Sequence, residues 1–173
     1  MRRAMLLIAA IATAVLLAAA VAMAVEEIGT NKGETLRGTA KRDVLYGRGG
    51  NDRVLGRGGN DELLAGSGND TVQGSSGADE LYGTSGGDSM NGGDDNDGVY
   101  GGVGDDPALF GGGGTDDISG GWGDDTLNSR DGLKDYVSCG PNQDVANVDD
   151  DPATPEDDSI DVVSPDCEDV NPG

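Results

Sequence analysis

Aspartate recurs every nine residues through the middle of this 173-residue chain. Two one-residue insertions, the first near Phe110, shift the series without ending it. The series comprises Asp43, Asp52, Asp61, Asp70, Asp79, Asp88, Asp97, Asp106, Asp116, Asp125, Asp135 and Asp144. Carboxylate oxygens are hard ligands, which suit calcium rather than zinc or copper. The spacing therefore favours a repeat that binds a multivalent cation.

Two other positions keep the same period as aspartate. Glycine stands two residues before most of the aspartates, at Gly50, Gly59, Gly68, Gly77, Gly86, Gly104, Gly114 and Gly123. An apolar residue stands two residues after them, at Leu45, Val54, Leu63, Val72, Leu81, Met90, Val99, Ile118 and Leu127, with Ala108 as a weak member behind Pro107. Glycine permits the positive φ of tight loops, and a strand buries alternate side chains. The predicted unit is a six-residue loop followed by a three-residue strand whose middle side chain points inward.

Residues 120–128 read Gly-Gly-Trp-Gly-Asp-Asp-Thr-Leu-Asn. This segment resembles the RTX, or haemolysin-type, calcium-binding nonapeptide repeat at every fixed position, and the resemblance covers about residues 29–128. It implies an all-β fold, a right-handed parallel β-roll in which two repeats make one turn. It also implies calcium ions between the loops of adjacent turns, held by aspartate side chains and loop carbonyl groups.

In such a roll, aspartates eighteen residues apart lie in one row, about 4.8 Å from each other. Nine loops look competent to bind calcium, and their predicted ligands are Asp52, Asp61, Asp70, Asp79, Asp88, Asp97, Asp106, Asp116 and Asp125. Five of these fall in one row and four in the other, so the gaps between them allow at most seven ions. Asp95 stands where glycine is usual, and residues 107–110 break the register. We expect about five to seven calcium ions.

The rows of carboxylates should oppose folding when no cation is present. At about 5 Å and an effective dielectric constant near 20, each neighbouring pair costs about 3 kcal/mol. The predicted core is one thin column of Val, Leu, Ile and Met, which is too little to offset the entropy of the backbone. We therefore expect calcium binding and folding to be one event.

The first 24 residues have the pattern of a secretory signal peptide. Arg2 and Arg3 precede an apolar run, and residues 22–24 form an Ala-x-Ala cleavage site. Cleavage would change the net charge from −22 to −24 and deliver a secreted, extracellular protein. The alternative is an uncleaved anchor, since the run is close to the length that spans a bilayer. A membrane is expected as a partner only in that case.

Both ends of the repeat array are predicted to be caps. Residues 25–46 contain two degenerate repeats, with Glu34 at one aspartate position, and residues 47–128 form the calcium-binding roll. Residues 129–173 are predicted to form a C-terminal cap with an acidic tail. Cys139 and Cys167 lie in this cap, and two cysteines in an exported chain are expected to pair. They would remain free thiols if export failed.

One outward row of the predicted strands is apolar and aromatic. It comprises Tyr46, Leu64, Tyr82 and Tyr100, eighteen residues apart, and the corresponding row of the other sheet would be Leu55, Gln73, Asn91 and Leu109. The first row is either a cross-strand ladder that stiffens the sheet or a contact surface for a cell surface, a polymer or a second roll.

Composition narrows the function. The chain has no His, which excludes HExxH zinc proteases and Ser-His-Asp hydrolases, and its acidity argues against nucleic acid as a partner. Repeats and caps occupy nearly all of the mature chain, so we expect no enzyme. The favoured function is a secreted calcium-binding structural or adhesive module. The alternatives are a remnant or accessory of an RTX toxin or secreted enzyme, and an ice-binding roll, whose polar array Ala78 and Gly87 would interrupt.

Overall fold

The computed structural model describes residues 24–149 and 161–172, and every regular element within these ranges is a β-strand. The strands are β1 (Glu26–Ile28), β2 (Thr35–Arg37), β3 (Val44–Gly49), β4 (Arg53–Gly58), β5 (Glu62–Ser67), β6 (Thr71–Ser76), β7 (Glu80–Ser85), β8 (Ser89–Asp94), β9 (Gly98–Val103), β10 (Ala108–Gly113), β11 (Asp117–Trp122), β12 (Thr126–Asn128), β13 (Tyr136–Ser138), β14 (Val145–Val148), β15 (Val162–Val163) and β16 (Asp169–Pro172). Over these described ranges we find no helix long and apolar enough to cross a membrane. The predicted signal peptide lies almost wholly outside the described residues.

Odd-numbered and even-numbered strands form two separate parallel sheets. The odd sheet runs in the order β1-β3-β5-β7-β9-β11-β13-β15. The even sheet contains the even-numbered strands from β2 to β16, also in chain order. Val54, for example, is flanked by Leu36 and Val72, each eighteen residues away. Two nonapeptides therefore make one turn of a parallel β-roll, which confirms the predicted fold class.

A single column of apolar side chains fills the space between the sheets. Its fully buried members include Leu36, Leu45, Val54, Leu63, Val72, Leu81, Met90, Val99, Leu109, Ile118, Leu127 and Val137. Each strand from β2 to β14 contributes its second residue, because alternate side chains of a strand point to opposite faces. The column is the apolar core of the roll.

Most strands are longer than the three residues predicted. From β3 to β11 each has six residues, because part of the glycine-rich segment also pairs with the neighbouring turn, as Arg57 does with Ser75. The fifth residue of each of these strands has a positive φ, which is 85° at Arg57 and 111° at Gly66. This left-handed residue bends the chain around the edge of the roll, and it favours glycine there.

The first insertion lies at Pro107 rather than near Phe110. Leu109 pairs with Met90 and is buried in the column, so Ala108 is not a column residue. Phe110 faces outward in the place that the sequence assigned to Leu109. The physical reason is the missing N–H of proline. In neighbouring turns the first residue of the strand donates its N–H to an aspartate carbonyl one turn earlier, as Ser89 does to Asp70 at 2.9 Å. Pro107 has no N–H, so it cannot be the first residue of the strand.

Candidate metal centre

Every aspartate of the nine-residue series is buried inside a turn of the roll. None of the twelve side chains from Asp43 to Asp144 is more than 4 % exposed. Each precedes a strand, which fixes its backbone, and the tight turn directs its carboxylate inward rather than to solvent. The sequence predicted nine of these positions as calcium ligands.

One oxygen of each carboxylate forms a ladder along the roll. The backbone N–H of Asp70 donates to Oδ1 of Asp88 at 2.8 Å, and the N–H of Asp88 donates to Oδ1 of Asp106 at 2.7 Å. The first row runs through Asp52, Asp70, Asp88, Asp106, Asp125 and Asp144, and the second through Asp43, Asp61, Asp79, Asp97, Asp116, Asp135 and Asp161. We call these the carboxylate rows. All nine predicted ligands lie in them.

The second oxygen of most of these carboxylates has no partner. The buried Oδ2 atoms without a hydrogen bond belong to Asp52, Asp61, Asp70, Asp79, Asp88, Asp97, Asp106, Asp116, Asp125, Asp135 and Asp144. A buried polar atom without a donor costs about 1–3 kcal/mol, and more when it carries charge. The prediction did not include Asp135 and Asp144, although both continue the series visible in the sequence.

Burial strongly disfavours the charged form of these groups. Loss of water raises the pKa of Asp61, Asp97, Asp106 and Asp135 to about 7. In Asp97 the neighbouring carboxylates of Asp79 and Asp116 raise the pKa further, while the hydrogen bond from the Asp79 backbone lowers it. Ionised rows at neutral pH therefore require a compensating positive charge.

Most of the unpartnered oxygens pack closely against a glycine that has no room for a side chain. A Cβ atom built on Gly120 would lie 2.5 Å from Oδ2 of Asp125 and 2.7 Å from the carbonyl oxygen of Cys139 in the next turn. A Cβ on Gly56 would lie 2.5 Å from Oδ2 of Asp61 and 2.9 Å from the carbonyl oxygen of Gly74. A carboxylate oxygen and a carbonyl oxygen of the adjacent turn thus both approach one glycine, and we call this arrangement a cradle. Calcium prefers this donor set.

The same cradle recurs in seven of the nine predicted loops. Its glycines are Gly47, Gly56, Gly74, Gly83, Gly92, Gly101 and Gly120. Ala65 takes the corresponding place in the loop of Asp70, so a methyl group stands there instead. Within the described ranges no three His, Cys, Asp or Glu side chains converge on one point. Carbonyl groups must therefore supply a large share of any metal's ligands, and the residues present fit calcium.

Comparison with protein families agrees with this geometry. The family model described as RTX calcium-binding nonapeptide repeat (4 copies) matches residues 28–63, 55–90, 64–99, 73–106 and 108–132. The chain belongs to this RTX family. No curated protein matched the chain. The family match confirms the resemblance to RTX repeats that the sequence predicted. It also supports calcium as the ion that the cradles accept.

The outer turns of the RTX roll satisfy their acidic side chains with protein groups. Both oxygens of Asp43 accept hydrogen bonds, with the Thr39 hydroxyl 3.0 Å from Oδ2. Glu34, at the aspartate position one strand earlier, accepts the backbone N–H of Thr30 at 2.6 Å, which lowers its pKa. At the other end, Oδ2 of Asp161 accepts from the Ser129 hydroxyl at 2.5 Å. The aspartates that have an unpartnered oxygen therefore all lie between these two outer turns.

The predicted disulfide is confirmed. Cys139 and Cys167 are bonded, with their Cα atoms 5.0 Å apart. Cys139 is fully buried at the end of the apolar column, and its carbonyl oxygen lines the cradle of Gly120. The disulfide therefore ties the C-terminal segment to the last cradle of the RTX roll.

Proposed function

We propose that this RTX chain is a secreted β-roll whose folding is completed by calcium and which serves as a structural or adhesive extracellular module. The observation that carries the proposal is the set of buried, unpartnered Oδ2 atoms in the carboxylate rows. A roll with these rows ionised is electrostatically incomplete, and calcium supplies the missing charge. In the described fold, the residues proposed to bind calcium belong to the same repeats that form the strands.

The proposed ligands are the nine aspartates from Asp52 to Asp125, with Asp135 and Asp144 added because their Oδ2 atoms are also unpartnered. Backbone carbonyl groups of the following turn complete each site. We propose about five to seven ions. The seven cradles that offer both kinds of oxygen support the upper part of this range.

The proposed extracellular location has two supports. RTX repeat proteins are typically secreted, and a disulfide persists in oxidising compartments. Residues 1–24 are proposed to be the leader, and an uncleaved leader would place the roll at a membrane surface. The family is a calcium-binding repeat and not a known enzyme family, which supports a non-enzymatic role. A remnant of a toxin or secreted enzyme remains the alternative function.

Residues 25–46 and 129–173 are proposed to act as caps of the roll at residues 47–128. The satisfied carboxylates of Asp43 and Asp161 support this division for the outermost turns, whereas Asp135 and Asp144 carry the proposed ligand rows into the C-terminal cap. Terminal repeats of solenoids commonly differ from the internal ones for this purpose.

The aromatic row of Tyr46, Leu64, Tyr82 and Tyr100 is proposed to be a stabilising ladder. The rings of Tyr82 and Tyr100 stack with centroids 5.1 Å apart. The Tyr82 hydroxyl donates to Glu80 at 2.7 Å, and the Tyr100 hydroxyl to Asp117 at 3.3 Å. These contacts occupy both groups within the sheet. Self-association or contact with a surface polymer through this row is the alternative.

Circular dichroism of residues 25–173, titrated with Ca²⁺ and separately with Mg²⁺, tests the proposal. We expect a cooperative change from coil to β-structure with Ca²⁺ alone, reversed by a chelator, because Mg²⁺ demands a compact octahedral site. A full β signal without either ion would contradict calcium-driven folding. Coil at all calcium concentrations would contradict the calcium-binding roll itself.

A further inference from the structure

On the outer face of the even sheet, the first and third residues of five consecutive strands carry no charge. On β6, β8, β10, β12 and β14 these residues are Thr71, Gln73, Ser89, Asn91, Ala108, Phe110, Thr126, Asn128, Val145 and Asn147, and the exposed Asp94 lies at the far end of β8. We call this surface the even face. On the odd sheet, the same turns present Glu80 and Asp117 outward. In a chain with a net charge of −22, an uncharged face of this length is a distinct feature.

Strand pairing arranges the even face as two straight rows. Gln73 pairs with Asn91, Asn91 with Phe110, Phe110 with Asn128, and Asn128 with Asn147. This row contains four amides, each with a donor and an acceptor group, at a spacing of about 4.8 Å. The amides of Asn128 and Asn147 also form hydrogen bonds within the roll. The parallel row carries the hydroxyl groups of Thr71, Ser89 and Thr126 together with two apolar residues.

A hollow of about 280 Å³ interrupts the even face beside Phe110. The ring is 39 % exposed, and Thr71, Gln73, Ser89, Asn91 and Ala108 line the same hollow. The insertion at Pro107 advances the following residues by one position, and this places Phe110 rather than Leu109 in the outward row. An exposed aromatic ring beside hydroxyl and amide groups offers a ligand both an apolar contact and hydrogen-bonding partners.

We propose that the even face binds an uncharged polysaccharide lying along the roll axis. A sugar ring has an apolar face that packs on an aromatic ring, and hydroxyl groups that both donate to and accept from amides. An anionic polymer would be repelled by the acidic chain, and a cationic one would be drawn to the carboxylates of the odd sheet. The proposal deepens the adhesive role proposed above by naming its surface and ligand class.

The dimensions of the even face favour a linear ligand over a second protein. Its two rows lie about 7 Å apart and extend over about 20 Å, which gives an area on the order of 200–300 Å². A stable protein interface buries about 800 Å² on each partner. A second copy of the roll would therefore find too little surface here, whereas a single oligosaccharide chain would cover the face.

Calorimetric titration of the calcium-loaded full-length chain with cellohexaose, chitohexaose and hexagalacturonate tests the proposal. We expect binding of at least one neutral hexasaccharide and none of the charged one. Phe110→Ala and Gln73→Glu should each weaken that binding at least tenfold. Ser119→Asp adds the same charge as Gln73→Glu but on the odd sheet, and it should leave the affinity unchanged.

Circular dichroism in calcium confirms that each variant remains folded, and it separates a failure of this proposal from a failure of calcium-driven folding. The proposal is overturned if the folded chain binds neither neutral hexasaccharide. Equal affinities of the wild type and Phe110→Ala would also overturn it, as would a preference for hexagalacturonate. A doubled mass in sedimentation that Gln73→Glu abolishes would assign the even face to a second copy instead.

Discussion

The interior of the roll has two regions that repeat with the same period but differ in what they require. The apolar column between the sheets is complete as it stands, because each side chain packs on those of the turns above and below it. The carboxylate rows beneath the turns are equally buried, yet eleven of their oxygens have no donor. One nonapeptide thus encodes a core that needs only the exclusion of water and a second core that needs a cation.

Under the proposed function, this difference lets an ion control the folding of a chain with so few large side chains. Burying a Leu or Val side chain contributes about 1.5–3 kcal/mol, and each strand contributes a single such residue. The unpartnered carboxylates oppose this gain in the turns from Asp52 to Asp144. A cation that neutralises them removes the opposing contribution without changing the column, so folding and calcium binding become linked.

Acidification of the calcium-free chain should produce the largest effect, because it acts on all the carboxylate rows together. The ordinary pKa of Asp is 3.8, whereas burial raises that of Asp106 to about 7 and that of Asp88 to about 6. Between pH 7 and 4 the folded state therefore binds more protons than the unfolded state, and the free energy of unfolding should rise as the pH falls. Below about pH 4 both states are protonated and the gain should be complete.

Circular dichroism in a chelator, from pH 7.5 to 4.5, measures this effect as a growing β signal and a rising Tm. Saturating calcium provides the matched comparison. There the trend should reverse, because carboxylates must lose their protons to bind the ion. A calcium-free chain that loses β-structure on acidification would show that the rows do not limit its stability.

The second prediction concerns the column alone. Leu81→Ala removes a fully buried side chain and should lower the free energy of unfolding by about 2–5 kcal/mol in saturating calcium. Urea denaturation at pH 7.5 measures the loss. Leu133→Ala is the control, because Leu133 is 49 % exposed and its truncation should cost less than about 0.5 kcal/mol. Equal losses for the two variants would be incompatible with a single-column core.

The regular part of the fold was accessible from the sequence, because its period is strict. From Asp52 to Asp97, the aspartates and the apolar residues that follow them define the rows and the column without any ambiguity of register. Asp135 and Asp144 could have been added from spacing alone. They were assigned to the cap because the glycine-rich pattern ends after Asn128, although their carboxylates continue the rows.

The irregular part required the structure. In the segment Pro-Ala-Leu-Phe at residues 107–110, both Ala108 and Leu109 are apolar, and hydrophobicity alone does not choose between them. The missing N–H of Pro107 decides in favour of Leu109. The six-residue strands were also missed, because the glycine-rich part of each repeat was predicted to be a loop, whereas part of it pairs with the neighbouring turn.

The third prediction separates the ligand role of an aspartate from its structural role. Asp79→Asn keeps an acceptor at Oδ1 for the Asp61 N–H, which lies 2.7 Å away, but replaces the unpartnered Oδ2 by a nitrogen that cannot bind calcium. In saturating calcium at pH 7.5 the free energy of unfolding should fall by about 1–3 kcal/mol. Without calcium at pH 5 it should not fall, because the pKa of Asp79 is raised to about 6 and its carboxyl group is already neutral there.

Urea denaturation under both conditions provides the measurement, with Asp94→Asn as the matched control at an exposed position of the same roll. The control should behave as wild type in both. Leu81→Ala should lose stability in both, so the three variants give three different patterns. If Asp79→Asn lost as much stability at pH 5 without calcium as it does with calcium at pH 7.5, its side chain would be a packing group like Leu81. The distinction between the two interior regions would then fail at that turn.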